Sequence, residues 1–390
     1  MIPYGKHHID DDDINAVIAV LKSKFLTQGP MVEEFEKAIC NLVGAKYAVA
    51  VSSGTAALHL SAVAAGVSPG RSIVTSPITF ASTANSAFYC GGDVHFVDID
   101  PLTINISPKA IEYTVKNNKD ICAIFPVHFG GLPCDMKAIK NISERYNLFV
   151  VEDAAHALGA NYSNGKKVGS CCYSDMTIFS FHPVKSIAAG EGGLITTNDE
   201  NLYRKLIRLR SHGINKLNDP LVNQSESTTD ESVNLWYYEM QELGFHYRIT
   251  DIQCALALSQ LKKLDKFIAR RLQLVNKYDT YFEGLDFISP AQNISRDLSS
   301  HHLYVLRIKF NELNITRNDF MKLLRKKEIM TQVHYIPLPI HPYYKSKGFN
   351  IADFPEANSY YEEAISIPLF YDLTDSQQEF VVKTILGILK

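Results

Sequence analysis

Three things are missing from this sequence. It has no Cys-x-x-Cys spacing, no excess of one charge, and no apolar run near the roughly 20 residues that a membrane helix needs. The seven cysteines are odd in number, and only Cys171 and Cys172 are adjacent. A disulfide framework or a zinc site is therefore not indicated, and reduced, buried thiols are expected. Lys and Arg total 39 against 42 Asp and Glu, a net charge of −3, and they are scattered. That excludes the basic face of a nucleic-acid binder and the cationic patch of a membrane-surface protein. The opening Met1–Lys6 lacks the apolar centre of a signal peptide, so a cytoplasmic location is expected. The pairs His7–His8 and His301–His302 have no partners at metal-ligand spacing, so no metal is expected.

What is present is enough for a large core. The chain has 390 residues, 46% of them hydrophobic, a length that suits about two domains. Ile14, Val17, Ile18 and Leu21 share a helical face after the acidic run Asp10–Asp13, and Val32, Phe35, Ile39 and Leu42 share another that Gly44 stops. From Tyr47 the pattern changes to short apolar runs: Tyr47–Val51, Ile121–Val127, Leu148–Val151 and Met176–Phe181. A helical segment such as Met136–Tyr146 falls between some of them. Buried strands alternating with helices predict an α/β domain with a mostly parallel sheet. Residues 213–243 are polar and aperiodic until Trp236, which predicts a long surface loop, either a functional lid or an insertion. Long helices follow from Asp251, then a strand near Leu303–Ile308, a helix opened by Thr316 with Asp319, and a last helix opened by Thr374 with Gln377. The expected division is a large domain over 1–250, and linking helices with a smaller α/β domain over 251–390.

Three places hold chemistry-bearing residues. A strand runs into Ser52-Ser-Gly-Thr55 where a helix begins. Such a turn offers free N–H groups and a positive dipole end to a phosphate, or merely caps the helix. Asp153 ends the apolar run Leu148–Val151 plus Glu152, at the carboxyl edge where α/β sheets bind ligands. It suits a protonated pyridine nitrogen, and equally an N-cap. Ser180 ends another run, and Lys185 follows the His182-Pro183 turn. Burial there would depress its pKa and make it a nucleophile, although a lone Lys near a strand end is more often a solvated one. A phosphate cradle, an Asp and a Lys at neighbouring strand ends are the three attachments of pyridoxal phosphate.

At this point the chain resembles a family, the sugar aminotransferases called DegT/DnrJ/EryC1/StrS, of aspartate-aminotransferase fold type. The resemblance covers nearly the whole chain. It is carried by Leu26–Gly29, Ser53–Leu58, Pro77–Phe80, Glu152–His156, Phe179–Lys185, Glu191–Gly193, Arg248–Gln253 and Gln332–Tyr335. It implies that Lys185 holds pyridoxal 5′-phosphate as a Schiff base and later moves the proton, with pyridoxamine 5′-phosphate as the intermediate form. It implies that Asp153 meets the pyridine nitrogen, His156 the ring-side oxygen and Phe80 the ring face. Thr55, the Ala56 N–H and Ser180 would hold the phosphate, and Arg248 lies near the site. Where relatives read Gly-x-Asn-Tyr-Arg, with the Asn reaching the neighbouring subunit's phosphate, this chain reads Gly244-Phe-His-Tyr-Arg248. His246 retains a donor for that contact.

A narrower likeness rests on Val127–Asp135, Ile2–Tyr4 and Gln332–Tyr335. These stretches are most similar to the branch that serves pseudaminic acid biosynthesis. That branch aminates the 4-keto carbon of UDP-2-acetamido-2,6-dideoxy-β-L-arabino-hexos-4-ulose with L-glutamate as donor. The resemblance implies a UDP-keto-sugar site formed by Tyr4, by Phe25, Leu26, Thr27 and Gln28, and by Gln332, Val333, His334 and Tyr335. It also implies a homodimer with shared active sites. The alternatives are amination of another UDP- or dTDP-keto-hexose, a sugar dehydratase, which would carry His in place of Lys185, and a non-catalytic regulator, which would lose Lys185 or Asp153.

Overall fold

The computed structural model describes residues 1–216, 219–229 and 232–389. Seven short strands form one sheet: β1 Tyr47–Val51, β2 Ser72–Thr75, β3 Asp93–Phe96, β4 Ile121–Phe125, β5 Phe149–Asp153, β6 Met176–Ser180 and β7 Gly193–Thr197. Their order is β1-β7-β6-β5-β4-β2-β3. Only β7 runs antiparallel to its neighbours, so the α/β, mostly parallel expectation holds. β2, β4 and β7 are buried along their whole length, as strands covered on both faces must be.

The pleat divides the core in two. Val49, Val51, Val151 and Ile178 point into one apolar layer, and Ala48, Ala50, Val150 and Phe179 into the other. A third cluster surrounds a small antiparallel sheet made by Ile288–Pro290, Tyr304–Ile308 and Ala364–Ile367, where Leu306, Phe320, Ile365 and Val382 are buried. Thr250 opens the helix Asp251–Leu261 with a complete capping box to Gln253. Thr374 and Gln377 exchange the same pair of bonds at 3.1 and 3.2 Å. Thr316 accepts from the Asp319 N–H, but the short Asp319 side chain reaches only the Thr316 hydroxyl, so that box is half made.

Two segments differ from expectation. The helix Asp11–Leu21 turns Asp13 and Val20 inward and leaves Ile14, Ile18 and Leu21 exposed, because Asp13 is drawn to Lys263 (2.9 Å) and Gln260 (2.6 Å). The segment 213–243 is partly ordered into paired strands: Ile214–Asn215 joins Glu239–Met240, and Thr228–Thr229 joins Ser232–Val233. Residues 217, 218, 230 and 231 of it lie outside the described residues.

Inside the sheet, Glu152 is fully buried and accepts from His128 (2.7 Å), Tyr162 (2.6 Å), Thr177 (2.9 Å) and Ser174. Burial alone would raise its pKa, but the His128, Ser174 and Tyr162 donors outweigh it, and the net direction is down. A depressed carboxylate stabilises the fold above the ordinary carboxylate range and loses that contribution as pH falls through its folded value. Glu152→Leu should cost about 3–5 kcal/mol, because four donors lose their acceptor inside the core. Thermal midpoints at neutral pH measure this, and an unchanged midpoint would contradict it.

Candidate active site

Parallel strands bring their carboxyl ends to one edge, and the chemistry collects there. β1 leads into Ser53, whose hydroxyl caps the helix Gly54–Ala64. β2 leads toward Phe80, which stands at the N-cap of the helix Ala81–Tyr89. β5 ends on Asp153 and β6 on Ser180, and the turn closed by the Lys185 N–H on the His182 carbonyl (2.8 Å) sets Lys185 beyond β6.

Asp153 is buried and anchored twice. Its Oδ2 accepts from Thr83 Oγ1 at 2.6 Å and its Oδ1 from the Ala155 N–H at 3.1 Å. The Thr79 and Thr83 hydroxyls are 2.8 Å apart, which continues the chain of bonds. Thr83 lies three residues beyond the Pro77–Phe80 motif, and nothing in its own context marked it. Lys185 is partly exposed, and its side chain forms no hydrogen bond or ion pair among the described residues. Desolvation lowers its pKa to about 8, and Asp153 opposes that shift. With that pKa about a tenth of the amine is neutral at pH 7, far more than for an ordinary lysine, and that fraction is nucleophilic.

His156 is buried under Tyr335, whose hydroxyl lies 3.0 Å from its Nε2. Its Nδ1 is buried without a hydrogen-bond partner. Burial, then Lys185 and His334, pushes its pKa well below the usual value, so the ring is neutral. The Gly54 helix end approaches β6 so closely that a Cβ there would meet Ser180 Cβ at 2.9 Å, and one on Gly193 would meet the Ser53 carbonyl at 2.2 Å. The Ala56 N–H already donates to Ser53 Oγ at 3.1 Å. The Gly54 and Thr55 N–H groups are left, by position, without intrahelical acceptors. An unsatisfied buried nitrogen, an unpaired lysine, a strand-end carboxylate and a tight cradle at a helix N-terminus fit pyridoxal 5′-phosphate.

The second group of residues lies partly together. The Tyr4 and His334 rings sit 5.4 Å apart, and Tyr335 is 6.3 Å from Phe80, which is 60% exposed. His334 Nδ1 contacts Ser366 Oγ at 2.8 Å, and its pKa falls to about 4 through burial and then Lys185. Gln332 is exposed and pairs its backbone with Ser366, while its side chain accepts from the Val333 N–H. Phe25 to Gln28 are exposed. They are tied to the start of the helix Asp251–Leu261: Thr27 bridges Thr250, and the Asp251 N–H donates to the Leu26 carbonyl at 3.0 Å. Arg248 bridges Val51. His246 is not brought to this group; it is exposed and packs on His212 at 5.3 Å.

Comparison with known proteins agrees with this geometry. The profile described as the DegT/DnrJ/EryC1/StrS aminotransferase family matches residues 7–386. The spore coat polysaccharide biosynthesis protein SpsC of Bacillus subtilis is 40% identical, with 100% of this chain and 97% of that protein covered. The UDP-4-amino-4,6-dideoxy-N-acetyl-β-L-altrosamine transaminase of Campylobacter jejuni is 39% identical, with 100% and 98% covered. Helicobacter pylori PseC, an aminotransferase involved in the biosynthesis of pseudoaminic acid, superposes with a TM-score of 0.89 at 30% identity, covering 100% of this chain and 99% of its own. Streptococcus pneumoniae Spr1654, solved in PLP and PMP forms, superposes at 0.87 and 0.88 with 27% identity, over 99–100% of this chain and 98–99% of its own. The chain belongs to the DegT/DnrJ/EryC1/StrS aminotransferase family, and it is a pyridoxal-phosphate-dependent sugar aminotransferase.

Proposed function

We propose that the protein transfers the amino group of L-glutamate to the keto carbon of UDP-2-acetamido-2,6-dideoxy-β-L-arabino-hexos-4-ulose. The products are 2-oxoglutarate and UDP-4-amino-4,6-dideoxy-N-acetyl-β-L-altrosamine. The observation that carries the chemistry is Lys185, an unpaired and partly desolvated amine beside Asp153. The full-length similarity to the Campylobacter transaminase supports the sugar. SpsC is equally similar, which favours as a second reading another UDP- or dTDP-keto-hexose.

In this reading Lys185 anchors the cofactor and then, released by the incoming amine, uses its Nζ to take the donor's α-proton. The same nitrogen returns a proton to the sugar carbon in the second half. Asp153, braced by Thr83, keeps the pyridine nitrogen protonated. When bound, pyridoxal 5′-phosphate supplies the electron sink for the carbanion. Thr55, Ala56 and Ser180 would hold the phosphate, Phe80 would cover the ring, and His156 would donate to the ring-side oxygen. Tyr4, Phe25–Gln28 and Gln332–Tyr335 hold the sugar nucleotide. The two halves balance: the water consumed in releasing 2-oxoglutarate is regained when the keto sugar loses its oxygen to the amine, and no outside oxidant or reductant is needed.

The reading includes a homodimer in which His246 reaches the partner's cofactor phosphate. Its support is the exposed stripe Ile14, Ile18 and Leu21, continued by Phe25 and Leu26, and the exposure of His246 itself. Scattered apolar side chains need no explanation, but a continuous stripe on one helix does.

Three measurements test these statements. Purified enzyme with L-glutamate, offered a panel of UDP- and dTDP-keto-sugars, should aminate the UDP-4-keto substrate best, with product configuration read by NMR. A different preferred sugar would replace the substrate assignment, and no absorbance change with glutamate would defeat the first half-reaction. Covalent loading of the cofactor onto apo-protein should speed up as pH rises through about 8 and then level off, because the neutral Lys185 amine is the reactive form. A pH-independent loading rate would refute the lowered lysine. Mixing inactive Lys185→Ala with a phosphate-weakened His246→Ala should restore activity, since one hybrid site then carries both intact residues. No recovery would speak against shared sites.

A further inference from the structure

The pair His301–His302 offers no metal-ligand spacing, yet the fold places His302 against the cofactor-side histidine. His302 is buried, and its ring lies 4.4 Å from that of His156 at an interplanar angle of 35°. Tyr335 covers His156 as well, with ring planes 19° apart. The same short segment holds the His156 backbone, because Ser300 Oγ donates to its carbonyl at 2.8 Å. Gly131 makes this approach feasible. At φ +102°, a Cβ there would meet Ser300 Oγ at 2.7 Å and the His301 and His302 nitrogens at 3.0 Å.

Arg271 fixes His302 from behind. It is a buried guanidinium with no carboxylate partner among the described residues, and burial lowers its pKa to about 10. Its Nη1 donates to the carbonyls of His302 at 3.2 Å and Leu369 at 2.9 Å. The Leu369 N–H in turn donates to the Tyr4 carbonyl at 3.0 Å. One side chain thus ties the Tyr4 segment to the His302 segment. The charged and titratable groups around the two histidines are Lys185, Arg271, His334, Tyr335 and, through Tyr335, Asp153.

The Tyr335 hydroxyl has no other partner among the described residues, and a donation from it to Nε2 places the ring proton on Nδ1. That N–H is buried and unmet within the protein. A buried donor without an acceptor is destabilising, and a ligand oxygen would satisfy it. The nearby Arg271 cation favours an anionic oxygen.

We propose that His302, clamped by Arg271, is a positioning residue that fixes the His156 ring so that its Nδ1–H donates to the phenolic oxygen of pyridoxal 5′-phosphate. It rests on the reading above that His156 meets that oxygen.

The test follows the visible absorbance of the bound cofactor against pH in the full-length enzyme. Losing the Nδ1–H donor makes the oxygen more basic, so His302→Ala should move the titration midpoint upward, by about half a pH unit or more. His302→Phe keeps a flat ring on His156 and should titrate like the wild type. An Ala variant with the wild-type midpoint, or a Phe variant that shifts as far as Ala, overturns the proposal. Should the Ala variant not fold, Arg271→Met serves in its place: it removes every donor to the His302 carbonyl and predicts the same upward shift, and no shift overturns the proposal. His156→Ala separates the two layers of the argument. If it shifts the midpoint while His302→Ala does not, only the positioning role fails. If it leaves the midpoint unmoved, the contact of His156 with the oxygen fails, and the positioning role with it.

Discussion

β5 carries two carboxylates in succession, and the pleat sends them to opposite faces of the sheet. Glu152 turns inward and meets four donors, so its charge is spent within the fold. Asp153 turns the other way and receives only Thr83 and one N–H. Its remaining capacity faces the edge where Lys185 stands. A one-residue slip of β5 would exchange these roles, placing the satisfied carboxylate at the site and the reactive one in the core. The site therefore depends on the register of β5 against β4 and β6.

Around that carboxylate the balance of charge is positive. Lys185 and Arg271 form no ion pair with a carboxylate among the described residues, and His156, His302 and His334 are held neutral chiefly by burial. Neutral rings add donors without adding further repulsion. Such a region is costly to the empty protein and suits a ligand bearing a phosphate and a phenolate. The arrangement also explains why Lys185 is depressed although Asp153 is near: desolvation exceeds the attraction of a carboxylate that Thr83 already engages.

The strands were legible where the chain was apolar on both faces. β1 begins and ends where its apolar run does, and the helix Met136–Tyr146 matches its expected span. The helix Asp11–Leu21 was legible as a helix but not in its orientation. Its apolar stripe lies outside because the Asp13–Lys263 pair, 250 residues apart in sequence, holds the opposite side. The segment 213–243 read as a loop because two-residue strands carry no periodicity. Of the site, Lys185, Asp153, Ser180 and the Ser53–Thr55 turn could be found from strand ends. Thr83, His302 and Arg271 could not. Thr83 sits within a small polar helix, His302 looked like half of a failed metal pair, and Arg271 was one of several basic residues on a long helix.

The sequence alone determined the kinds of elements, their order, the family and its cofactor, since these follow from local patterning and from motifs a few residues long. Which groups actually touch was decided by the tertiary structure. The stacking of His302 on His156, the bracing of Asp153 by Thr83 and the tie from Tyr4 through Leu369 to Arg271 all join residues far apart in the chain. Their geometry is set by strand register, by helix packing and by the close approach that Gly131 allows. No local pattern encodes those quantities, because each depends on two distant segments at once.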